Sequence, residues 1–326
     1  MTVMPRKHRF LLVAMAVLVM ALVASACAGS DSKTTTIGIV HLGRTTDVVD
    51  GFKSGMAELG YIDGETLSYI YEGPVSSMDD LDQAIQNLMS GNVDLIFTAT
   101  TPATLRVKRA VQGTDTPVVF AQVYDPVRSG VVESLIHPGS NVTGVRGGGH
   151  IPKMLEWLLA VAPSTEQVFV PHNPDDNASV MSLQDLTQAA MTLGVELVIA
   201  EVRTSAELDS ALGDIPQDVD ALFVLSSGFL GRHMEMLAET ARRHSLPIAG
   251  GAESHRLGAL LSFGLDTSQA GKQASRLAYA ILEGAQPAEL PVETADFYLS
   301  FNLRTAQAIN IDIPGDILAQ ADDIIR

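Results

Sequence analysis

From residue 36 onward, short β-branched runs alternate with stretches whose apolar residues recur every three or four positions. Residues 36–42 (TIGIVHL) predict a buried strand, and Val48, Val49, Phe52, Met56 and Leu59 then follow at helical spacing, with Gly60 as a left-handed stop. A second strand is expected at 67–71. A helix striped by Leu81, Ile85, Leu88 and Met89 then ends at Gly91, followed by strands at 94–98 and 117–121 around a helix at 102–111. After Gly149 the rhythm restarts. Helices are expected at 154–161, 179–193, 205–212 and 234–244, and strands at 168–172, 196–201 and 220–225. Strands separated by single helices imply right-handed parallel crossovers, so the fold class is α/β with two doubly wound, Rossmann-like lobes.

The seam between the lobes is expected at 138–149, which is rich in Gly, Pro and Asn. The chain beyond Leu246 holds too little apolar sequence for a third core. Residues 260–264 and the helix at 269–282 are expected to return to the first lobe, and 297–301 with the helix near 304–309 to the second. The expected division is 34–143 plus 250–292 for the first lobe and 144–249 plus 293–326 for the second. Several crossings of this kind make a multi-strand hinge with a cleft between the lobes, an architecture suited to a closing binder.

The first 26 residues change where such a binder would work. Arg6, Lys7 and Arg9 precede an apolar run at 10–23, the small residues Ala24, Ser25 and Ala26, and then Cys27, the one Cys of the chain. The pattern is that of a secretory signal peptide, too short and wrongly flanked for a stable span. Cys27 stands where bacterial lipoproteins carry the acylated thiol. Ala24 sits where Leu or Val is more usual, and the alternative is an ordinary signal peptide cut near Ala26 or Ala28. Residues 27–35 form a polar tether. The expected location is the extracytoplasmic face of the cell membrane, with a lipid anchor at Cys27. The 326 residues carry a formal charge of −17, which repels phosphate backbones and argues against nucleic acid as a partner. A single Cys excludes a disulfide framework or a Cys-rich metal site.

In a doubly wound sheet, ligands meet the carboxyl ends of strands. The first candidate is the loop 98–104, where Thr100, Thr101, Ala103 and Thr104 surround Pro102 at a helix start suited to a carboxylate; Thr101 could equally be a plain helix cap. The second is Tyr124 with Asp125, an aromatic face beside an acid, or else an acid capping the turn at Pro126. In the second lobe, Asn173, Asp175 and Asn177 occupy a loop that is either a binding edge or a helix cap. Ser226 and Ser227 follow the strand at 220–225, and Glu253 and Asp266 are further acidic candidates. His41 and Arg44 lie on the exit of the first strand. No nucleophile elbow, Ser-x-x-Lys pair, phosphate loop or paired-His spacing appears, so neither catalysis, nor a cofactor, nor a metal site is expected.

Several segments carry a resemblance. They include 51–64 (GFKSGMAELGYIDG), Asp125-Pro126-Val127 with Gly130, and 138–145 (PGSNVTGV). His172-Asn173-Pro174, 290–293 (LPVE), Asn302-Leu303 and the closing 313–322 (IPGDILAQAD) continue it in order. Together they resemble the tryptophan/tyrosine-type ABC transporter substrate-binding proteins, a branch of the type I periplasmic binding architecture. The resemblance implies an extracytoplasmic receptor that delivers an amino acid or related metabolite to a membrane ABC permease, and a monomer is expected. It also implies that the 100–104 loop holds a carboxylate, while Asp125 and a second-lobe acid hold an ammonium. The chain departs from the pattern at 41–46, 147–150 and 226–231. A ligand sensor of the same fold, signalling to a membrane partner, is the alternative.

Overall fold

The computed structural model describes residues 34–43 and 46–326; the expected signal segment, Cys27 and Arg44 lie outside the described residues. The first lobe begins with β1 (Thr35–His41), α1 (Asp47–Glu58), β2 (Leu67–Ile70), α2 (Met78–Ser90), β3 (Leu95–Ala99), α3 (Thr101–Ala110), β4 (Val118–Val123) and β5 (Val142–Arg146). The second contains α4 (Ile151–Val161), β6 (Gln167–His172), α5 (Asn177–Leu193), β7 (Glu196–Glu201), α6 (Ser205–Gly213), β8 (Ala221–Phe223), α7 (Gly228–Arg232), α8 (Met234–Arg243), β9 (Ile248–Gly250) and β10 (Leu261–Leu265). The chain then adds α9 (Thr267–Leu282), β11 (Glu293–Thr294), β12 (Phe297–Asn302), α10 (Leu303–Ala308), α11 (Gly315–Leu318) and β13 (Asp323–Ile325).

The six-stranded sheet runs β11-β5-β4-β3-β1-β2, with every neighbouring pair parallel. The seven-stranded sheet runs β13-β12-β10-β9-β8-β6-β7, and β12 is antiparallel to β10. Central strands are apolar on both faces because helices cover both, as a parallel sheet requires. In the first lobe, Phe52 of α1 stacks on Phe97 of β3 with ring centroids 4.0 Å apart and planes 7° apart. On the opposite face Leu81, Ile85, Val107 and Phe120 pack together. The second lobe closes around a separate core that includes Leu155, Leu186, Phe223, Leu237 and Phe301.

Strand pairing corrects the expected division of the chain in three places. Residues 260–264 do not return to the first lobe: β10 pairs with β9 and β12, and Leu261 is buried in the second core. The return begins only with α9, which lies against α1 so closely that a Cβ on Gly271 would stand 2.0 Å from the Val48 carbonyl oxygen. Residues 293–294 belong to the first sheet, because β11 pairs with Val145 and Arg146. The seam at 138–149 contains a strand, β5, as far as Arg146; Gly144 is required there because a Cβ would sit 2.2 Å from the Phe120 carbonyl. Among the described residues the crossings therefore fall at 147–150, 265–267 and 294–297, giving three connections between the lobes.

Candidate functional site

The carboxyl ends of β1, β3 and β4 in one lobe, and of β6 and β8 in the other, carry the polar loops. At the end of β3 the backbone turns abruptly. Thr100, a β-branched residue, has φ 78° and ψ 149°, a conformation that glycine adopts far more readily. It is the N-cap of α3, yet no side chain caps that helix, and Pro102 follows within the first turn. The Thr100 N–H donates to the Ala121 carbonyl at 3.1 Å, and the Thr104 N–H and hydroxyl both donate to the Thr100 carbonyl at 3.1 and 2.8 Å. The hydroxyls of Thr98 and Thr100 are buried without a hydrogen-bond partner. Ala103 is fully buried behind them. Thr101 is not the cap: its hydroxyl accepts the Tyr124 N–H at 3.3 Å, tying the start of α3 to the end of β4. A first helical turn with unused donors and a positive pole is an anion-binding feature.

At the end of β4 a register shift between Phe120 and Val123 marks a bulge, with Gln122 at φ 59°. Beyond it Asp125 takes the turn-capping role. Its Oδ1 accepts the Val127 and Arg128 N–H groups at 3.1 and 2.9 Å, and its Oδ2 accepts Arg128 Nε at 2.6 Å. Partial burial opposes ionisation of Asp125, but these donors outweigh it and hold its carboxyl below the usual range. Tyr124 is buried and donates from Oη to Asp185 Oδ2 of α5, across the lobes, at 2.7 Å. Burial first, and that bond second, push its phenol up. Both residues read as possible ligand contacts are thus committed to internal partners.

Sequence reasoning missed His150, the N-cap of α4 at the first crossing, with an exposure of only 5%. Its Nε2 lies 3.3 Å from Ser226 Oγ. Its ring stands edge-on to Tyr124 at 6.2 Å and 5.2 Å from Phe297, the residue at the third crossing. Burial pushes the imidazole down to about 4, against the raising effects of the Gly147 backbone and Asp185. One histidine after three glycines gives no signal of this in the sequence.

The second-lobe loops meet one another. Asn173 is buried, and its Oδ1 accepts the Asp175 N–H at 3.0 Å. Asp176 caps α5 by accepting the Ala178 N–H at 2.9 Å, and its other oxygen accepts the Ser227 hydroxyl at 2.8 Å. Asp175 and Asn177 are exposed, and Asp175 sits 3.7 Å from Arg203. Glu253 and Asp266 lie elsewhere, on a depression of about 180 Å³ along β10 and β12 lined also by Ser262, Tyr298 and Asp322. There Glu253 pairs with Arg256 at 3.5 Å, and Asp266 caps α9. His41, at the end of β1, is buried with its Nδ1 3.4 Å from Tyr71 Oη. The structure therefore brings 100–104 together with Tyr124, and the 173–177 loop together with Ser226–Ser227. It leaves Glu253 and Asp266 apart from both.

The family model described as ABC transporter substrate binding protein matches residues 35–325. The chain belongs to this family. It is a solute-binding protein rather than an enzyme, works outside the cytoplasm as the family does, and has the type I periplasmic binding fold. Among the described residues no helix is long and apolar enough to cross a membrane. This substrate-binding protein is 28% identical over 247 residues to the tyrosine-binding protein of Clostridioides difficile (strain R20291), an overlap of 76% of this chain and 71% of that one. A conserved domain protein of Vibrio cholerae superposes with a TM-score of 0.83 at 27% identity, covering 90% of this chain and all of that one. A Streptococcus pneumonia ABC domain in complex with L-Trp also reaches 0.83 over 90% of this chain and all of that one, at 23% identity.

Proposed function

We propose that the protein captures a free amino acid between its lobes and hands it to a membrane ABC permease, held near that permease by lipid on Cys27. The observation that carries the reading is the start of α3: an uncapped helix end, two buried hydroxyls without partners at Thr98 and Thr100, and a strained Thr100 backbone. An incoming carboxylate would satisfy those donors and complement the helix dipole. Thr100, Thr101, Ala103 and Thr104 supply that edge. The similarity to a tyrosine-binding protein supports an aromatic amino acid as the first ligand to try. Asp125 is saturated by Arg128, so the ammonium falls to a second-lobe acid, and Asp176, which joins both second-lobe loops, is the best placed. Asn173, Ser226 and Ser227 hold that edge in shape.

Thermal unfolding against the twenty amino acids tests the reading. A ligand present at a hundred times its Kd stabilises by about 2.7 kcal/mol, a shift of several degrees. Stabilisation by L-tyrosine or another aromatic amino acid is the expected result; no shift with any amino acid refutes it. For the anchor, Cys27→Ser is expected to move the protein from the membrane fraction to the soluble one, and unchanged membrane association refutes acylation there.

A further inference from the structure

Outside the candidate ligand loops, one side chain collects hydrogen bonds from the opposite lobe. Asp185 lies in the middle of α5, in the second lobe. Arg128 Nη2 reaches its Oδ1 at 3.0 Å and its Oδ2 at 3.1 Å, and Tyr124 Oη donates to Oδ2 at 2.7 Å. Arg128 Nη1 also donates to Gln184 Oε1 at 3.3 Å. Both donors are set in place before they reach across. Asp125, fixed by two backbone N–H groups, grips Arg128 Nε, so the guanidinium is held between one carboxylate of its own lobe and one of the other. Tyr124 is buried, its N–H is tied to Thr101 Oγ1, and its ring packs edge-on to His150. A planar guanidinium shared between two carboxylates fixes direction as well as distance, which a surface Lys would not.

We propose that Tyr124, Arg128 and Asp185 form a clasp that favours the closed arrangement of the lobes and couples it to occupancy of the 100–104 loop. Opening about the three crossings carries α5 away from the 124–128 turn and breaks the clasp. Closure restores it. Because Thr101 both begins α3 and holds the Tyr124 backbone, a ligand seated on that helix end steadies the residue that reaches the second lobe. These are positioning residues; none is required to touch the solute. A contact that exists in only one of two states shifts their populations by its own differential free energy, and apparent affinity falls by the same factor as the competent fraction. The coupling to solute rests on the amino-acid reading above; the effect on lobe closure does not.

Small-angle scattering of the ligand-free protein, with L-tyrosine titration beside it, tests the clasp. Asp185→Asn preserves shape and an acceptor but removes the charge; Arg128→Lys keeps charge but not the two-sided grip; Tyr124→Phe removes one hydroxyl. Asp185→Asn and Arg128→Lys are expected to raise the ligand-free radius of gyration. Each is also expected to weaken L-tyrosine about five- to tenfold, chiefly through faster release. The double variant is expected to be no worse than Asp185→Asn alone, which already removes the charge that Arg128 grips. Arg242→Gln, which breaks the surface pair with Glu239, is the control expected to change neither reading. Unchanged scattering in the well-folded Asp185→Asn and Arg128→Lys variants overturns the clasp, as does an additive loss in the double variant. If L-tyrosine and the other amino acids fail to bind the parent protein, the amino-acid reading falls and the scattering series still decides the clasp.

Discussion

Replacing Thr100 with Gly separates what the end of β3 does for the fold from what it does for the solute. At φ 78° and ψ 149° the Thr100 backbone lies beside the region occupied almost solely by glycine, a placement that costs about 1–3 kcal/mol for a residue with a Cβ. Glycine removes that strain but returns conformational freedom to the unfolded chain, worth about 0.4–1 kcal/mol in the opposite direction. It also deletes a buried hydroxyl that makes no hydrogen bond, so no folded-state bond is lost. The hydrogen bonds from the Thr104 N–H and hydroxyl are accepted by the Thr100 backbone carbonyl and survive. The balance is a gain of about 1 kcal/mol, read as a higher urea midpoint at unchanged slope. The same variant is expected to bind L-tyrosine roughly fivefold more weakly, the loss of one neutral hydrogen bond of about 1 kcal/mol. Thr100→Ala, which keeps the strain and loses the hydroxyl, is expected to weaken binding equally without the gain in stability. A Thr100→Gly protein less stable than the parent refutes the strain argument. A more stable one with full affinity refutes the role of the hydroxyl.

Packing and titration elsewhere in the molecule give two more expected outcomes. His150 is held neutral with its pKa pushed down to about 4, whereas a free imidazole titrates near 6.5. Between those values the unfolded chain binds a proton that the folded chain refuses, so stability present at neutral pH is lost as pH falls through that window, by about 3 kcal/mol. His150→Gln is expected to flatten this part of the urea-midpoint profile, and an unchanged profile in the variant counts against it. Gly271→Ala is expected to cost about 1–3 kcal/mol, because the new methyl meets the Val48 carbonyl and α9 must move off α1; an unchanged melting temperature would show that the two helices are not that close.

How far the sequence speaks depends on whether an element's partner is near it in the chain. The unit from β3 through α3 to β4 was readable because its signals are local: apolar runs of strand length, a Pro within the first helical turn, and an alternation that only parallel crossovers satisfy. The same locality placed the Thr100 loop at a strand's carboxyl end. β5 was hidden inside a Gly- and Asn-rich stretch, because the reason for Gly144 is the Phe120 backbone on the neighbouring strand, more than twenty positions away. β10 carries a strand pattern that fits either sheet, and its choice is made by β9 and β12.

The site divides along the same line. Asp125 looks identical in sequence whether it waits for an ammonium or caps a turn; Arg128, three residues on, decides for the turn. Asp185 sits mid-helix among polar neighbours, where an acid reads as a solvated face, and only the meeting of two lobes gives it Arg128, 57 positions away, as a partner. For a protein of this architecture, residues that contact solute gather at strand ends and can be proposed from the chain alone. Residues that govern how the lobes meet need not lie there: Tyr124 and Arg128 follow β4 directly, but Asp185, the residue they reach, sits in the middle of a helix. A clasp of this kind joins a strand-end residue to one that belongs to no strand end, so substitutions at positions such as Asp185 retune affinity where strand-end reasoning never looks.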